Sequence, residues 1–449
     1  MVYHPFWLTN SHNIRHTEHL IIGFGKAGKT LAQTLAKAGK KVILVEKSAD
    51  MYGGTCINIG CIPSKKLAFL SHERDVSLSD AIARKNQLIA KLNQANLDNA
   101  TVITGEASFI DDKTVQVVTA DDTLTITADH IHINTGAYNW QPPIDGLKDS
   151  KFAHDSTSIM QLTQLPKQLV IIGGGYIGLE FAFIFAGFGS VVTILETADT
   201  FLPKEDADIR QNLLGIMANK HITVKTKQQI KQVNDANNHA VVVTEDGELM
   251  ADAILVATGR RANTQGLNLD KAGVKLTDKG NIAVNDRLQT SVPHIYAMGD
   301  VAGSPQFTYI SLDDYRVVKS QVLGGGTHTT KGRTFAYAVF TNPPLANVGM
   351  TEQVAKEQGH AVKTAVLEAV NIPKAKILEQ TDGLLKAVID AKTDKILGVQ
   401  LLCDNAHELI NFMDLAIRQG LTYQEVRDYI FTHPTMSEAL NELFAGVET

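Results

Sequence analysis

The ten residues His19–Gly28, HLIIGFGKAG, form an apolar run that breaks into Gly23-x-Gly25-x-x-Gly28. A helical pattern follows through Leu31, Leu35 and Ala38, and then an apolar strand pattern, KVILVEK, closes at Glu46. Glycines at this spacing permit a tight turn and bring a pyrophosphate close to a helix N-terminus. An acid at the end of the second strand can accept hydrogen bonds from ribose hydroxyls. One such match is a weak signal, but the pattern recurs. Leu169–Gly178, LVIIGGGYIG, carries Gly173, Gly175 and Gly178, and the later strand VVTILE closes at Glu196. The acid follows the first glycine by 23 residues in both copies. Two strand–turn–helix–strand units of identical spacing imply a chain built to hold two dinucleotides.

Between the copies, Gln87–Leu97 reads as helix, and TVITGEASFI, TVQVVTA and LTITADHIHINTG read as a strand meander. Pro142, Pro143 and Gly146 mark a linker. After the second copy, HITVKT, HAVVVTED and DAILVATGR are strand patterns, and NIAVND and HIYAMGD are read as strands returning to a sheet. From about Thr330 the texture changes. Strand patterns AYAVF, GLLKAVID and KILGVQLLC alternate with helical VAKEQ and AHELINFMDLAIRQ, with no glycine-rich turn, as in an α+β assembly domain.

The stretch Gly53–Lys66, GGTCINIGCIPSKK, holds two of the three cysteines, Cys56 and Cys61. In a regular helix, residues five apart have Cα atoms about 8.6 Å apart, whereas a disulfide tolerates at most roughly 6.8 Å. If the two bond, regular helix cannot run across them, and Asn58 and Gly60 suit such a break. Ile62, Pro63 and Ser64 would then begin the helix proper. Cys61 would lie at its positive end, where a thiolate is favoured. A structural disulfide and half of a metal site are the alternatives. The second ligand pair that a metal site needs is missing.

The 449 residues are 44% hydrophobic and 20% charged, an ordinary globular composition. A net charge of −6 and a pI near 6.2 give no support for nucleic acid or an anionic membrane as partner. No window approaches eighteen consecutive apolar residues, so no membrane span is expected. The opening MVYHPFWLTNSHNIRHTE resembles no signal peptide, and its histidines His4, His12 and His16, with His19 just after, fit a disordered or loosely packed tail better than a metal site. Three cysteines are too few for a secreted disulfide framework. The reading is a cytoplasmic protein, where a reversible disulfide serves catalysis better than structure.

With two dinucleotide fingerprints and a C-x4-C set after the first, the chain resembles the flavin-dependent pyridine nucleotide–disulfide oxidoreductases over about residues 19–445. The resemblance implies an α/β protein with two Rossmann-like dinucleotide-binding domains and a C-terminal α+β domain that forms a homodimer. Its expected divisions are a tail at 1–18, an FAD-binding part at 19–145, an NAD(P)-binding domain at 146–271, a central FAD part at 272–330 and the dimerisation domain at 331–449. FAD would sit on Gly23, Gly25, Gly28 and Glu46, with Gly54, Thr55, Thr135, Gly136 and Asp300 contributing. The nicotinamide dinucleotide would sit on Gly173, Gly175, Gly178 and Glu196, near Gly259 and Arg260. By family position Cys61 is the sulfur beside the flavin and Cys56 the outward one that exchanges with substrate. Lys65 matches the lysine near the flavin ring, with Lys66 as the adjacent alternative, and Glu180 matches its acidic partner. Tyr176 matches the tyrosine that covers the nicotinamide pocket, although a core aromatic fits it nearly as well. His433 and Glu438 match the acid–base pair that serves the disulfide of the opposite subunit.

Glu196, with no arginine in the following TADTFLPKED, favours NADH over NADPH. Within the family, MYGGTCINIGCIPSK, QFTYISLDDYR, PPLANVGMTE and IFTHPTMSEALN look closest to the bacterial reactive-chlorine-resistance flavoproteins. That implies defence against oxidants by reduction of hypothiocyanous acid or copper(II). Dihydrolipoamide dehydrogenase and a flavin sensor without turnover are the competing readings. Cys403, beside His407, reads as a buried thiol in a strand rather than a metal ligand.

Overall fold

The computed structural model describes residues 14–97 and 102–447. His4 and His12 lie outside them. The chain divides into two compact units. The first comprises Met1–Pro63, Lys85–Asn139 and Arg260–Gly332, and the second comprises Ser64–Arg84, Trp140–Gly259 and Arg333–Thr449.

In the first unit, strand Ile14–Ile22 lies at the centre of a seven-stranded sheet, parallel to Val42–Glu46 on one side and Thr123–Ile133 on the other. Val102–Thr104 extends one edge in parallel, and Ile295–Ala297 pairs with the end of Thr123–Ile133. The antiparallel hairpin Glu106–Phe109 and Thr114–Val118 forms the other edge, the meander expected from sequence. Helix Lys26–Lys37 joins the first two strands and buries Ala27, Leu31, Ala32 and Leu35, spaced to keep one apolar stripe. The first strand starts at Ile14, not at His19. The long strand Thr123–Ile133 offers Thr125–Ala128 as partners for Ile14–Thr17, and this pairing recruits polar residues assigned above to the tail. NIAVND forms no strand either. Among the described residues it makes only the isolated bridge Leu276–Ile282, where a tight turn through Gly280, at φ +80°, reverses the chain after Thr277.

In the second unit, Ile222–Lys225, Val191–Leu195, Gln168–Ile172, Ala253–Val256 and Ala153–His154 form a parallel sheet in that order. Helix Tyr176–Phe188 buries Leu179, Phe181, Ala182, Phe183, Ile184 and Phe185. Each of the leucine, isoleucine and phenylalanine side chains is worth about 1.5–3 kcal/mol of burial, so this helix anchors the unit's core. Residues 333–449 add an antiparallel sheet in the order Tyr337–Val339, Leu345–Gly349, Ile396–Leu402, Leu384–Asp390, Val362–Glu368. Helices Ala406–Gln419 and Ala439–Ala445 bury their apolar stripes in a core that includes Val399, Leu401 and Phe444. The chain passes back to the first unit after Gly259, twelve residues before the expected 271/272 boundary. Arg260–Ala262 pairs antiparallel with Ala137–Asn139 of that unit and draws the crossing forward.

Candidate functional site

The first glycine turn is built so tightly that side chains are excluded. A Cβ on Gly23, at φ +103°, would lie 2.3 Å from the Asn134 carbonyl oxygen, and one on Gly54 would lie 2.7 Å from Gly25 Cα. Gly25 caps helix Lys26–Lys37 and has no side chain of its own to bond the first N–H groups of that helix. Glu46 accepts the Phe24 N–H at 2.9 Å and the Ser48 N–H at 3.2 Å, and burial pushes its carboxyl above the usual range. Asp300 sits in the turn Gly299–Ala302, its carboxyl raised by burial and partly offset by the Arg260 guanidinium. Thr55 opens the short helix Thr55–Asn58. Thr135 donates to the Asn263 carbonyl at 2.8 Å, and Gly136 turns at φ +72°. Two residues not singled out from sequence hold this arrangement. Asn134 accepts the Gly28 N–H at 2.9 Å and donates to the Met298 carbonyl at 2.8 Å. Buried Asp314 accepts the Gly299 N–H at 2.7 Å and the Ser304 hydroxyl at 2.8 Å. Glycine cradle, helix terminus and strand-end carboxylate suit a dinucleotide.

The second turn repeats the design. A Cβ on Gly173 would lie 2.5 Å from the Ala257 carbonyl, and one on Gly178 would lie 2.3 Å from the Gly173 carbonyl. Gly175 caps helix Tyr176–Phe188 without a side-chain bond, and beyond its chain neighbours no described atom lies within 4 Å of where its Cβ would be. Glu196 accepts the Gly174 N–H at 2.8 Å and the Ala198 N–H at 2.9 Å. Gly259 turns at φ +119° with open space about it. Arg260 donates to Asn139 Oδ1 at 2.7 Å and to the Ala137 carbonyl within the first unit, so it braces a strand pair there.

Between Cys56 and Cys61 the helix breaks as the distance argument requires. Thr55–Asn58 ends at Ile59, with φ −139°, and a new helix runs from Cys61 to Leu70 with Pro63 in its first turn. Buried Asn58 pins the break, donating to the Tyr52 and Gly54 carbonyls at 2.9 and 3.0 Å. The two sulfurs are unbonded thiols that share a hydrogen bond. That bond, and then burial, push the Cys56 thiol well above the ordinary range, while Thr308 and Lys29 pull it the other way. The Thr308 hydroxyl lies 3.2 Å from Cys61 Sγ. A threonine opening a helix carries no sequence signal for that role.

In the second unit Lys65 Nζ lies 2.6 Å from Glu180 Oε2 and 4.7 Å above the Phe340 ring. Glu180 Oε1 accepts the Phe340 N–H at 3.0 Å. Lys66 lies over Phe69 instead, so the acid pairs with Lys65. His433 Nδ1 lies 2.8 Å from Glu438 Oε2, with the histidine side chain 71% exposed and the glutamate 17%. The Tyr176 hydroxyl donates to Glu205 Oε1 at 2.9 Å. Cys403 is fully buried just beyond strand Ile396–Leu402. Among the described residues no His, Cys, Asp and Glu cluster could hold a metal ion.

The profile described as pyridine nucleotide–disulphide oxidoreductase matches residues 17–314, and the dimerisation domain of that family matches residues 335–444. The probable pyridine nucleotide–disulfide oxidoreductase RclA of Escherichia coli (strain K12) is 46% identical over 96% of this chain and 99% of its own. A mercuric reductase of Lysinibacillus sphaericus is 35% identical over 94% of this chain and 81% of its own. The solved Cu(II) complex of the HOCl-induced flavoprotein disulfide reductase RclA from Escherichia coli superposes with a TM-score of 0.95. It is 45% identical, and the match covers 97% of this chain and 100% of that one.

Proposed function

The chain belongs to the pyridine nucleotide–disulphide oxidoreductase family, and we propose that it reduces small electrophilic oxidants at the Cys56–Cys61 pair in defence against reactive chlorine. FAD and a reduced nicotinamide dinucleotide, the cofactors of such flavoprotein disulfide reductases, supply the electron pair that restores the dithiol. Gly23, Gly25, Gly28, Glu46, Gly54, Thr55, Thr135, Gly136 and Asp300 hold the flavin nucleotide. Gly173, Gly175, Gly178 and Glu196 hold NADH. Glu196 keeps acceptor capacity for a ribose 2′-hydroxyl beyond its two backbone bonds. Its charge would repel a 2′-phosphate.

The observation that carries the reading is the hydrogen-bonded thiol pair, with the Thr308 hydroxyl against the Cys61 sulfur. With hypothiocyanous acid, Cys56 gives up its proton to the base as its sulfur attacks the oxidant's sulfur, forming an S–S bond and releasing hydroxide, which leaves as water. Cys61 attacks the Cys56 sulfur and expels thiocyanate. Dithiol and hypothiocyanous acid thus give disulfide, thiocyanate, water and a proton. His433 takes protons from the thiols, and Glu438 fixes its tautomer at 2.8 Å. The pair serves the disulfide of the opposite subunit of a homodimer, consistent with the dimerisation-domain match. Copper(II) is a second acceptor, favoured by the Cu(II) complex of the similar RclA. Two Cu(II) ions would take one electron each as the dithiol closes to disulfide and two protons leave. No helix among the described residues is long and apolar enough to cross a membrane, and the reading keeps the enzyme in the cytoplasm.

Steady-state NADH consumption by FAD-loaded protein tests this, with hypothiocyanous acid, copper(II), dihydrolipoamide's disulfide lipoamide, and glutathione disulfide as acceptors. Fastest turnover with hypothiocyanous acid supports the reading. Preference for lipoamide would return the chain to dihydrolipoamide dehydrogenase chemistry, and no turnover with any acceptor would make it a sensor.

A further inference from the structure

Glu205 is 2% exposed and follows no motif, yet four side chains converge on its carboxylate. Tyr176 and Tyr337 donate to Oε1 at 2.9 and 2.8 Å. Asn347 and Gln400 donate to Oε2 at 3.1 and 2.8 Å. Asn347 also donates to the Tyr337 oxygen at 3.2 Å. The two tyrosine hydroxyls lie 3.1 Å apart and their rings 5.4 Å. All five residues belong to the second unit. The two hydroxyl protons of the tyrosines both go to one carboxylate oxygen, so both rings are held by the same atom.

The network is asymmetric. Tyr337, Asn347 and Gln400 stand on three strands of one antiparallel sheet, Tyr337–Val339, Leu345–Gly349 and Ile396–Leu402. Asn347 is 3% exposed and Gln400 is fully buried. Tyr176 instead stands at the first position of helix Tyr176–Phe188, directly after Gly175, and is only partly buried. If Tyr176 leaves, Glu205 keeps three of its four donors, so no buried carboxylate is orphaned and the cost is about that of one hydrogen bond. A side chain held by its tip, on a receiver that stays assembled without it, is a latch.

We propose that Glu205, braced by Tyr337, Asn347 and Gln400, is a positioning residue that latches Tyr176 closed and makes nicotinamide entry work against that bond. The inference rests on the reading of Tyr176 as the cover of the nicotinamide pocket. The latch shields the reducing site between turnovers and releases when the dinucleotide displaces the ring.

The test is stopped-flow reduction of FAD-loaded protein by NADH in Tyr337→Phe, Glu205→Gln, Tyr176→Phe and the Tyr176→Phe/Tyr337→Phe double variant. Weakening the latch should raise the reduction rate at NADH well below KM by about three- to tenfold, the size of one net hydrogen bond. The rate at saturating NADH should change less, and NADH oxidation by dioxygen should rise. Tyr176→Phe should reproduce the effect, and the double variant should add nothing, since without its hydroxyl Tyr176 has no bond to Glu205 left for Tyr337 to brace. Reduction by dithionite, which needs no nicotinamide entry, should stay constant, a result that loss of folding would not give. If Glu205→Gln fails to fold, Tyr337→Phe carries the test alone. Unchanged or slower reduction in Tyr337→Phe and Tyr176→Phe, while Tyr176→Ala alters NADH kinetics, overturns the latch. If Tyr176→Ala also leaves NADH kinetics unchanged, the placement of Tyr176 at the nicotinamide falls, and the latch with it.

Discussion

The Thr308 hydroxyl lies 3.2 Å from the Cys61 sulfur, at the first residue of helix Thr308–Val322. A hydroxyl donor and a helix N-terminus both favour a thiolate at that sulfur. Hydrogen bonding to Cys61 and then burial hold Cys56 protonated to high pH, with Thr308 acting against them. Thr308→Val should raise the pH midpoint for alkylation of the reduced pair by iodoacetamide and slow it at pH 7 by about tenfold, from the worth of a charge-assisted bond. An unchanged midpoint would remove Thr308 from this role.

His433 Nδ1 lies 2.8 Å from Glu438 Oε2, and the proposed function has the two act as one unit. His433→Gln should slow dithiol oxidation by about 10²–10⁴-fold, as expected when an acid–base group is removed. Glu438→Gln should slow it by about 10–100-fold, as for other partners that orient a histidine. Flavin reduction by NADH should hardly change in either variant, and rapid-mixing measurement of each half-reaction separates the two.

Lys386, 4% exposed, holds three carboxylates at once, Asp206 at 3.3 Å, Asp208 at 2.8 Å and Glu352 at 2.7 Å. Burial alone would lower its pKa, but the bonds to Asp208 and Glu352 push it up to about 12. The folded value lies above the unfolded one, so this stabilisation is complete below about pH 10.5 and fades as pH rises through 12. Lys386→Met leaves the acids facing one another and should cost about 3–5 kcal/mol in denaturant unfolding.

The central sheet of the first unit carries stacked histidines. His19 Nδ1 lies 3.1 Å from His132 Nε2, and the His19 and His130 rings stack at 5.2 Å. Burial and then the His130 charge hold His19 down at about 4, and burial also lowers His130 and His132. Glu18, Lys40, Asp129 and His294 supply the smaller charge effects around them. These bases stay neutral when folded and take up protons when unfolded. Stability should therefore fall as pH drops from about 6.5 towards 4. Flavin release and circular dichroism followed across that window should move together. Flat stability between pH 6.5 and 4 would contradict the reading.

Much of this was legible because backbone geometry forces residue type. Only glycine fits at Gly23 and Gly173, and only a helix break lets Cys56 and Cys61 meet, so both patterns are written in the sequence. The start at Ile14 was hidden because its polar residues enter a strand only through pairing with Thr125–Ala128. NIAVND alternates like a strand, but among the described residues it forms only one isolated bridge. Thr308, Asn134, Asp314 and Glu205 were illegible for another reason. Each acts through a contact with residues ten or more positions away in the chain, and no local motif encodes such a contact.

The central claim is that Cys56 and Cys61 carry an electron pair to the oxidant. Anaerobic dithionite titration of oxidised, FAD-loaded protein tests it most directly, followed by one equivalent of hypothiocyanous acid. The account predicts that the wild type takes up four electrons, two in the flavin and two in the disulfide, whereas Cys56→Ser and Cys61→Ser take up two. Hypothiocyanous acid should rapidly reoxidise only the wild type. Equal uptake in all three proteins, or fast reoxidation of the serine variants, would contradict it.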